Sequence, residues 1–427
     1  MRARRRIVAV VAGAAVALAA AVVFAPAGNA AVNAAAVTCS APAWAEGNSY
    51  TVGQQVTYQG HLYAALVAHT AWPGTGWNPA ATPSLWSDQG ACTGGTTPTT
   101  PPTTSPTTPP TTPPTTPPTT PPAGGGSFKS PIYFMPVENS PQDIGTAMSA
   151  SGAKYFNLAF VNDIGGCTPG WGAGLPVSSD TKVAAMVNTV RANGGDVSVS
   201  FGGYISNELG ASCGSASALA GAYQAVINKY NLTRLDFDWE GDDIDANMPV
   251  RMGALKILQN NAQAAGRQLH LTLTVPMTTI GFSGSDTDEI HQAVTAGVTF
   301  DLINIMAFDY GLTNASTMTD SVKLVADAAK NQMKTIFGYS DATAYAHLGL
   351  QLMNGHTDQP SELFLQSDFT NLLAYARTNH FGWMSYWALN RDRQCDPSVP
   401  HNWADGTCSS VTQNAWDFSK IVAQYNG

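Results

Sequence analysis

The 427-residue sequence has few charged side chains, and more of them are acidic than basic. Asp, Glu, Lys and Arg together make up 11% of the residues, and the formal net charge is −9. Proteins that bind nucleic acid need basic patches to neutralise phosphate groups. The composition therefore argues against a nucleic-acid partner.

Beyond its N-terminus, the sequence lacks an apolar run long enough to cross a bilayer. Four arginines precede an apolar run over residues 7–24, and small residues continue to Ala30. This order is typical of a secretory signal peptide, so we predict that residues 1–30 are cleaved near Ala30. A membrane anchor is the alternative, but the Ala-rich run is weakly hydrophobic. We expect a secreted, extracellular monomer without membrane contact.

CxxC motifs and His-rich clusters are also lacking, so the sequence predicts no metal and no cofactor. Six cysteines in an exported chain are typical of disulfides. Six allow fifteen pairings, and their placement favours three local ones. The predicted pairs are Cys39–Cys92, Cys167–Cys213 and Cys395–Cys408.

Residues 93–126 consist almost entirely of Thr, Pro, Ser and Gly, with a repeated Thr-Thr-Pro-Pro pattern. Such a segment has no apolar surface to bury, so we predict an extended linker. It separates a small module, residues 39–92, from a large domain, residues 127–427.

The small module has short strand-like runs at Gln55–Tyr58 and Leu62–Leu66, joined by a predicted turn at Gln59-Gly60. An all-β unit of this size cannot bury all of its aromatic side chains. Trp72 and Trp77 lie in a loop-like stretch, so they are candidates for an exposed platform that stacks on sugar rings.

The spacing of aromatic, Gly and Pro residues in the module, including Gly76-Trp77-Asn78-Pro79, resembles carbohydrate-binding modules of the family 5/12 type, which occur beside bacterial chitinases. The resemblance implies that Trp77 carries binding to crystalline chitin. It implies core positions for Trp44 and Trp86. Trp72 is assigned to the ligand face, with core or loop packing as an equal alternative.

In the large domain, three acids alternate with apolar residues in Leu235-Asp236-Phe237-Asp238-Trp239-Glu240. In a strand, alternation places the three carboxylates on one face. Crowded carboxylates raise one another's pKa, and a carboxyl that stays protonated near neutral pH suits the proton donor of a glycosidase. A solvated edge or a calcium loop is the alternative, but the Gly and Asn spacing of an EF-hand is missing.

Eight apolar runs of strand length alternate with helix-like stretches, which predicts an α/β fold, a (β/α)₈ TIM barrel. A doubly wound sheet is the alternative, but no Gly-rich nucleotide loop follows the first strand. The runs are Ile132–Met135, Tyr155–Phe160, Val197–Phe201, Leu235–Trp239, Leu269–Val275, Leu302–Met306, Leu348–Met353 and Gly382–Trp387.

Barrel chemistry lies at the carboxyl ends of the strands. Glu240 follows the fourth predicted strand, Asp309 and Tyr310 follow the sixth, and Trp387 ends the eighth. The predicted ends therefore bring these residues to one face of the barrel.

Four motifs make the large domain similar to glycoside hydrolase family 18, the barrel-fold chitinases. They are Ser200-Phe201-Gly202-Gly203, Leu235-Asp236-Phe237-Asp238-Trp239-Glu240, Met306-Ala307-Phe308-Asp309, and Trp387 with the following Asn390-Arg391-Asp392. The resemblance implies retaining, substrate-assisted hydrolysis with Glu240 as general acid and base, and Asp238 and Asp236 as its catalytic partners. It implies substrate contacts for Met306, Asp309, Tyr310 and Trp387.

The sequence departs from the family pattern at two places. Thr233 and Arg234 replace the first Asp and the Gly of the acidic motif, and Phe308 replaces a Tyr whose hydroxyl contacts the substrate. Tyr310 is a candidate for supplying that hydroxyl. Ser200 and Gly203 are predicted to serve in packing, and Trp239 to face outward between barrel and helices.

The predicted function is that of a secreted chitinase that binds chitin and chitooligosaccharides and hydrolyses their β-1,4-N-acetylglucosamine linkages. Only 78 residues separate Asp309 from Trp387, which leaves no room for the insertion that deepens the cleft in some relatives, so internal cleavage is expected. The alternatives are an endo-β-N-acetylglucosaminidase acting on N-glycans, a non-catalytic chitin-binding lectin, and a structural adhesin.

Overall fold

The computed structural model describes residues 39–45, 48–66, 69–71, 78–80, 82, 85–92, 128–204, 207–311 and 318–427. Within these ranges the chain forms two compact units. The predicted signal peptide, the predicted linker, Trp72 and Trp77 lie outside the described residues. No helix in the described part of the chain has the length and apolar character to cross a membrane.

The small unit is all β-structure, as predicted. Its strands are β1 Ser49–Tyr50, β2 Gln55–Tyr58, β3 His61–Ala65, β4 His69–Thr70 and β5 Trp86–Ala91. Strands β2, β3 and β5 form an antiparallel sheet in that order, and β1 pairs with β4. Gln59 and Gly60 have φ of 46° and 81°, so the predicted turn joins β2 to β3.

Aromatic side chains form the core of the small unit. Trp86 is buried against Tyr50, with ring centroids 4.9 Å apart, and Trp44 packs on the edge of the same cluster. Cys39 and Cys92 join the two ends of the unit, with Cα atoms 5.4 Å apart. The predicted disulfide and the predicted core position of Trp86 are therefore present.

Eight parallel strands of the large unit form the predicted barrel. They pair in the order β6, β7, β10, β11, β12, β13, β14, β17. The amide of Met384 donates to the carbonyl of Lys129 at 2.9 Å, which links the last strand to the segment entering the first. In chain order the strands of this unit are β6 Pro131–Phe134, β7 Tyr155–Asp163, β8 Pro169–Trp171, β9 Leu175–Pro176, β10 Asp196–Gly202, β11 Arg234–Asp238, β12 His270–Pro276, β13 Leu302–Met306, β14 Leu348–Met353, β15 Gly355–His356, β16 Leu363–Phe364 and β17 Trp383–Trp387.

Helices cover the outside of the barrel, so its strands are buried on both faces. Every residue of β13 and β14 is buried. Side chains fix several helix starts: Asp143 caps the first helix, Ser215 the fourth, and Ser283 forms a capping box with Asp286 at the sixth. The helices are α1 Ile144–Ser151, α2 Lys182–Ala192, α3 Leu209–Ser212, α4 Ala216–Tyr230, α5 Met248–Ala264, α6 Gly284–Ala296, α7 Met318–Phe337, α8 Asp341–Ala346, α9 Gln366–Asn379 and α10 Asp417–Val422.

Two disulfides brace loops at the carboxyl ends of the barrel strands. Cys167–Cys213 and Cys395–Cys408 pair as predicted, with Cα atoms 4.9 and 5.0 Å apart. Between β13 and β17, the described residues form α7, α8, β14, the β15–β16 hairpin and α9. None of these described elements is an added α+β subdomain, in keeping with the short spacing between Asp309 and Trp387.

One carboxyl group is buried in α6 without a hydrogen-bond partner among the described residues. Glu289 is fully buried and neither of its oxygens is bonded. Arg251 is nearby but forms an ion pair with Glu208 at 2.9 Å. Burial, reinforced by the charge of Asp286, raises the pKa of Glu289 to about 9. The folded protein therefore holds Glu289 protonated at neutral pH.

This arrangement makes stability depend on pH. The unfolded chain releases the Glu289 proton above its ordinary pKa of 4.5, whereas the folded protein keeps it until about pH 9. Stability is therefore lost as pH rises through that interval. We expect Glu289→Gln to raise the free energy of unfolding at pH 7 by about 3 kcal/mol and to leave it nearly unchanged at pH 4.

Urea unfolding at pH 4, 7 and 8.5 measures this effect. Asp288→Asn, at an exposed carboxylate of the same helix, is the matched control and should change stability by less than about 0.5 kcal/mol. A Glu289→Gln variant that is less stable than the wild type at pH 7 would show that Glu289 is ionised in the folded protein.

Candidate active site

Strand β11 places two acids inside the barrel and a third at its rim. Asp236 and Asp238 are buried and face the interior, and Glu240 follows the carboxyl end of the strand with part of its surface exposed. Phe237 points outward and stacks on Phe201 of β10, with centroids 5.6 Å apart. The side chains thus alternate as predicted.

Trp239 also faces outward, as predicted, and is fully buried. The Arg251 guanidinium of α5 lies 4.5 Å from the centre of its ring. This contact anchors the residue immediately before Glu240 to the helix layer.

Asp236 is held by four hydrogen-bond donors from four other strands. Its carboxyl accepts from Tyr133 of β6 at 2.9 Å, Asn157 of β7 at 2.9 Å, Ser200 of β10 at 2.6 Å and Thr274 of β12 at 2.7 Å. Burial raises the pKa of Asp236, and these four hydrogen bonds oppose the rise.

Ser200 differs from its prediction as a packing residue, because its hydroxyl bonds directly to an active-site carboxyl. Gly203 serves close packing as predicted, since a Cβ atom there would lie 2.6 Å from the ring of Phe160. The neighbouring Gly202 is also closely packed. Gly202 has φ of 112°, and a Cβ atom there would lie 1.9 Å from the carbonyl oxygen of Asp238. A glycine at this position lets the ends of β10 and β11 meet beneath Glu240.

Asp238 hydrogen-bonds with Glu240. Burial raises the pKa of Asp238 well above its ordinary value, and the charges of Glu240 and Asp236 add to the rise. The Oδ1 atom of Asp238 is buried and has no hydrogen-bond partner in the described part of the chain. Asp238 therefore carries a proton toward Glu240 and keeps one oxygen available for another donor.

Burial raises the pKa of Glu240 to about 7, with further contributions from the charges of Asp309 and Asp358, while the hydrogen bond with Asp238 opposes the rise. A carboxyl with this pKa is part protonated and part ionised near neutral pH. It is therefore suited to donate a proton in one step and to accept one in the next.

Asp309 lies after β13 in a left-handed backbone conformation, with φ of 60°. Its amide donates to Glu362 Oε2 at 2.8 Å, and its Oδ1 accepts from the amide of Gln359 at 3.2 Å. Burial raises the pKa of Asp309, and a hydrogen bond with Thr357 opposes the rise. The loop after β15 thus fixes Asp309 near Glu240.

The hydroxyl of Tyr310 is buried and has no hydrogen-bond partner among the described residues. Phe308, at the family's tyrosine position, is 8% exposed. Tyr310 therefore remains a candidate to supply the missing hydroxyl. Met306, at the carboxyl end of β13, is 6% exposed.

Trp387 ends β17 beside the acids. Its ring stacks on Phe160 of β7, with centroids 5.4 Å apart and planes inclined by 19°, and lies 6.1 Å from the ring of Tyr133. The partly exposed indole is therefore held in a fixed orientation at the carboxyl face of the barrel.

Several residues around the acids are absent from the sequence-based predictions. Tyr133, Asn157 and Thr274 bond to Asp236, and Asp358 raises the pKa of Glu240 by its charge. For Tyr133, Asn157 and Thr274 the available signal was a polar side chain within a strand that is otherwise largely apolar, since a buried polar group needs a partner.

Cys395, His401 and Cys408 are the described residues whose ligand atoms come close enough together to hold a metal ion. The two cysteines are joined in a disulfide, so their sulfur atoms are not thiolate ligands.

A (β/α)₈ barrel with a buried acid pair and a protonatable glutamate at its carboxyl end defines a glycoside hydrolase. Residues 132–351, just over half of the chain, match the model of glycosyl hydrolases family 18, and the chain belongs to this family. Residues 43–87 match carbohydrate-binding module family 5/12.

Two curated proteins and a solved structure are similar to this chain. The "Probable bifunctional chitinase/lysozyme" of Escherichia coli (strain K12) is 28% identical over 267 residues, which are 60% of this chain and 30% of that protein. "Endochitinase 11" of Metarhizium anisopliae is 27% identical over 268 residues, which are 60% of this chain and 50% of that protein. The chain thus spans half or less of the length of these relatives.

The solved structure is the catalytic domain of a hyperthermophilic chitinase from Pyrococcus furiosus. It is 26% identical to this chain with a TM-score of 0.60, and the match covers 70% of this chain and 97% of that one.

Proposed function

We propose that this protein is a secreted chitinase that cleaves β-1,4-linked N-acetylglucosamine chains internally, with retention of anomeric configuration. The observation that carries the proposal is the hydrogen-bonded pair of Asp238 and Glu240, with the pKa of Glu240 near 7, at the open end of the barrel. The family match and the chitinases among the relatives support the substrate class.

In the first step, Glu240 donates its proton to the glycosidic oxygen, and the bond from that oxygen to the anomeric carbon breaks. The carbonyl oxygen of the substrate's own 2-acetamido group attacks the anomeric carbon and forms an oxazolinium ion. Asp238 accepts a hydrogen bond from the acetamido N–H with its unpartnered oxygen. The negative charge of the acid cluster stabilises the positively charged intermediate.

In the second step, Glu240 takes a proton from water, and the resulting oxygen nucleophile opens the oxazolinium ring at the anomeric carbon. The acetamido group is restored and the product keeps its original configuration. Asp309 and Tyr310 hold the acetamido group, Met306 lines the site, and Trp387 forms the floor beneath the reacting sugar.

The products formed from two substrates test this function. We expect colloidal chitin to yield a ladder of oligomers, identified by mass, because the short β13–β17 connection leaves the cleft open to internal chain segments. A high-mannose glycoprotein should yield no released glycan. Release of N-glycans alone would favour an endo-β-N-acetylglucosaminidase, and release of disaccharide alone from chitin would contradict internal cleavage.

The small module is proposed to hold the enzyme on solid chitin. Tethering raises the local concentration of the catalytic domain at an insoluble surface. We expect Trp77→Ala to weaken binding to solid chitin about tenfold, because one stacked aromatic ring contributes roughly 1–3 kcal/mol to the binding of a flat ring. Hydrolysis of soluble oligomers should not change.

A pull-down with chitin beads and an oligomer assay measure the two effects separately. Trp86→Phe, in the core of the same module, is the control for loss of folding. Equal loss of bead binding and of oligomer hydrolysis in Trp77→Ala would contradict the separation of the two functions.

A further inference from the structure

Beneath the catalytic acids, four residues lie in register across four neighbouring strands. Thr274 of β12 pairs with Asn304 of β13, Asn304 pairs with Gly349 of β14, and Gly349 pairs with Trp383 of β17. The side chains of Thr274, Asn304 and Trp383 are buried. Each of them hydrogen-bonds within the barrel, so the row is a connected polar layer.

The hydrogen bonds of this layer fix the orientation of the Asn304 amide. Trp383 Nε1 donates to Asn304 Oδ1 at 2.7 Å. An indole N–H can only donate, so the carbonyl oxygen of Asn304 must face Trp383. The NH₂ group therefore faces Gln351 Oε1 at 2.5 Å and Tyr133 Oη and Thr274 Oγ1, each 3.0 Å away. One of its two protons goes to Gln351, and the other lies between the two hydroxyl oxygens, which are 2.9 Å apart.

The amide in turn fixes the direction of two hydroxyl groups. Each hydroxyl has one proton, and the two oxygens share the second N–H of Asn304, so neither hydroxyl needs to donate to the other. The proton of Tyr133 is then free to point to Asp236 Oδ2 at 2.9 Å, and that of Thr274 to Asp236 Oδ1 at 2.7 Å. A reversed amide would instead accept one of these protons, and Asp236 would lose a donor.

Gly349 makes the contact between Trp383 and Asn304 possible. The indole reaches β13 across the intervening strand β14, where Gly349 is in register with both residues. A Cβ atom at Gly349 would lie 2.1 Å from Trp383 Nε1 and 2.6 Å from Asn304 Oδ1. Gly349 has no positive φ, so its backbone conformation does not require glycine. Glycine is required here because any side chain would fill the space that this hydrogen bond occupies.

We propose that Asn304 is a positioning residue whose amide directs the hydroxyl protons of Tyr133 and Thr274 onto the carboxyl group of residue 236. Trp383 orients this amide, and Gly349 leaves the space for their contact. The effect on hydrolysis rests on the proposed function, whereas the effect on Asp236 itself does not. Donors directed at Asp236 favour its ionised form and so preserve a negative charge beneath the reacting sugar.

The titratable groups that interact with Asp236 in the described part of the chain are Tyr133 of β6 and Asp238 of β11, and Glu240 follows at the rim. None of them is a cation that would compensate for a lost donor. Loss of one directed hydroxyl should therefore raise the pKa of Asp236 by about half to one unit, the equivalent of one neutral hydrogen bond.

The pH profile of kcat on a soluble chitin oligomer tests the proposal. Trp383→Phe removes the orienting N–H, and we expect the acidic limb to move up by about half to one pH unit. Activity at pH 4 should then fall about three- to tenfold more than activity at the optimum, with KM nearly unchanged. Gly349→Ala should move the acidic limb of the pH profile in the same direction.

Trp171→Phe is the matched control. It removes an equally buried indole N–H, which donates to Tyr230 Oη at 2.7 Å outside the barrel interior. Its acidic limb should coincide with that of the wild type. An equal loss of kcat at all pH values in Trp383→Phe would overturn the proposal. The same shift of the acidic limb in Trp171→Phe would also overturn it.

A second measurement does not depend on activity. If Trp383→Phe raises the pKa of Asp236, proton binding favours the folded variant at low pH, so its loss of stability should be smaller at pH 4 than at pH 7. Urea unfolding at both pH values measures this difference, and Trp171→Phe should show none. A loss of stability in Trp383→Phe that is the same at both pH values would overturn the proposal. This outcome does not depend on the proposed function, because it can be measured even if the wild type fails to hydrolyse chitin.

Discussion

Replacement of Glu240 by Gln is expected to reduce kcat on chitin oligomers by about 10²–10⁴, the range for loss of general acid and base catalysis. Gln has nearly the same shape as Glu but has no acidic proton for the glycosidic oxygen. Substrate binding, measured by calorimetry with a soluble oligomer, should change only a few-fold, since the proposed contacts of Asp309 and Trp387 with the substrate would remain.

The same role of Glu240 also predicts the pH dependence of the wild-type enzyme. Because the pKa of Glu240 is about 7, activity should decline as pH rises through 7 and the acid loses its proton. Glu289→Gln, the same change at a buried glutamate of α6, should keep full activity and the same pH profile. Substantial activity in Glu240→Gln would exclude Glu240 as the acid.

Replacement of Asp238 by Asn is expected to reduce kcat by about 10²–10³, comparable to removal of one preorganised stabilising group in other active sites. The amide of Asn can still donate a hydrogen bond to Glu240, as the protonated Asp238 does in the free enzyme. It cannot share its proton with the Glu240 carboxylate that the first step leaves, so no negative charge can develop on this residue beside the oxazolinium ion; in the wild type that proton returns to Asp238 when Glu240 takes a proton from water. The loss should therefore appear in kcat, while the decline near pH 7 remains.

Asp358→Asn provides the comparison for Asp238→Asn. Asp358 raises the pKa of Glu240 by its charge alone, without a hydrogen bond to it. Its replacement should move the decline of activity to lower pH and leave kcat in the acidic range close to that of the wild type. A kcat for Asp238→Asn within threefold of the wild type would show that the anion is not needed in the transition state.

The sequence was sufficient to predict the barrel and the three acids for a clear physical reason. Strands buried on both faces have mostly apolar runs, and only the fourth of the eight runs leads through a row of three alternating carboxylates, Asp236, Asp238 and Glu240. The three disulfides followed from the placement of the cysteines, and the core position of Trp86 followed from the resemblance to family 5/12 modules.

The partners of Asp236 could not be predicted in the same way. Tyr133, Asn157, Ser200 and Thr274 are single polar residues in four different strands, and their convergence depends on the stagger of the closed barrel. No local pattern in the sequence encodes that stagger. For the same reason the sequence alone does not reveal that Ser200 bonds to Asp236, or that Asn304, Gly349 and Trp383 form a group.

The origin of the donors to Asp236 also matters for how the protein reaches its active state. Their sequence separations from Asp236 are 103, 79, 36 and 38 residues, so the site is assembled from contacts of high contact order. Hairpins and helices that form early in folding contain only local contacts, so they cannot assemble this site. Trp387 of the last barrel strand, β17, also lies against Tyr133 of the first, β6. We therefore expect hydrolysis to return during refolding only when these two strands have met, well after the helical signal in circular dichroism. Enzymatic activity would then report barrel closure directly.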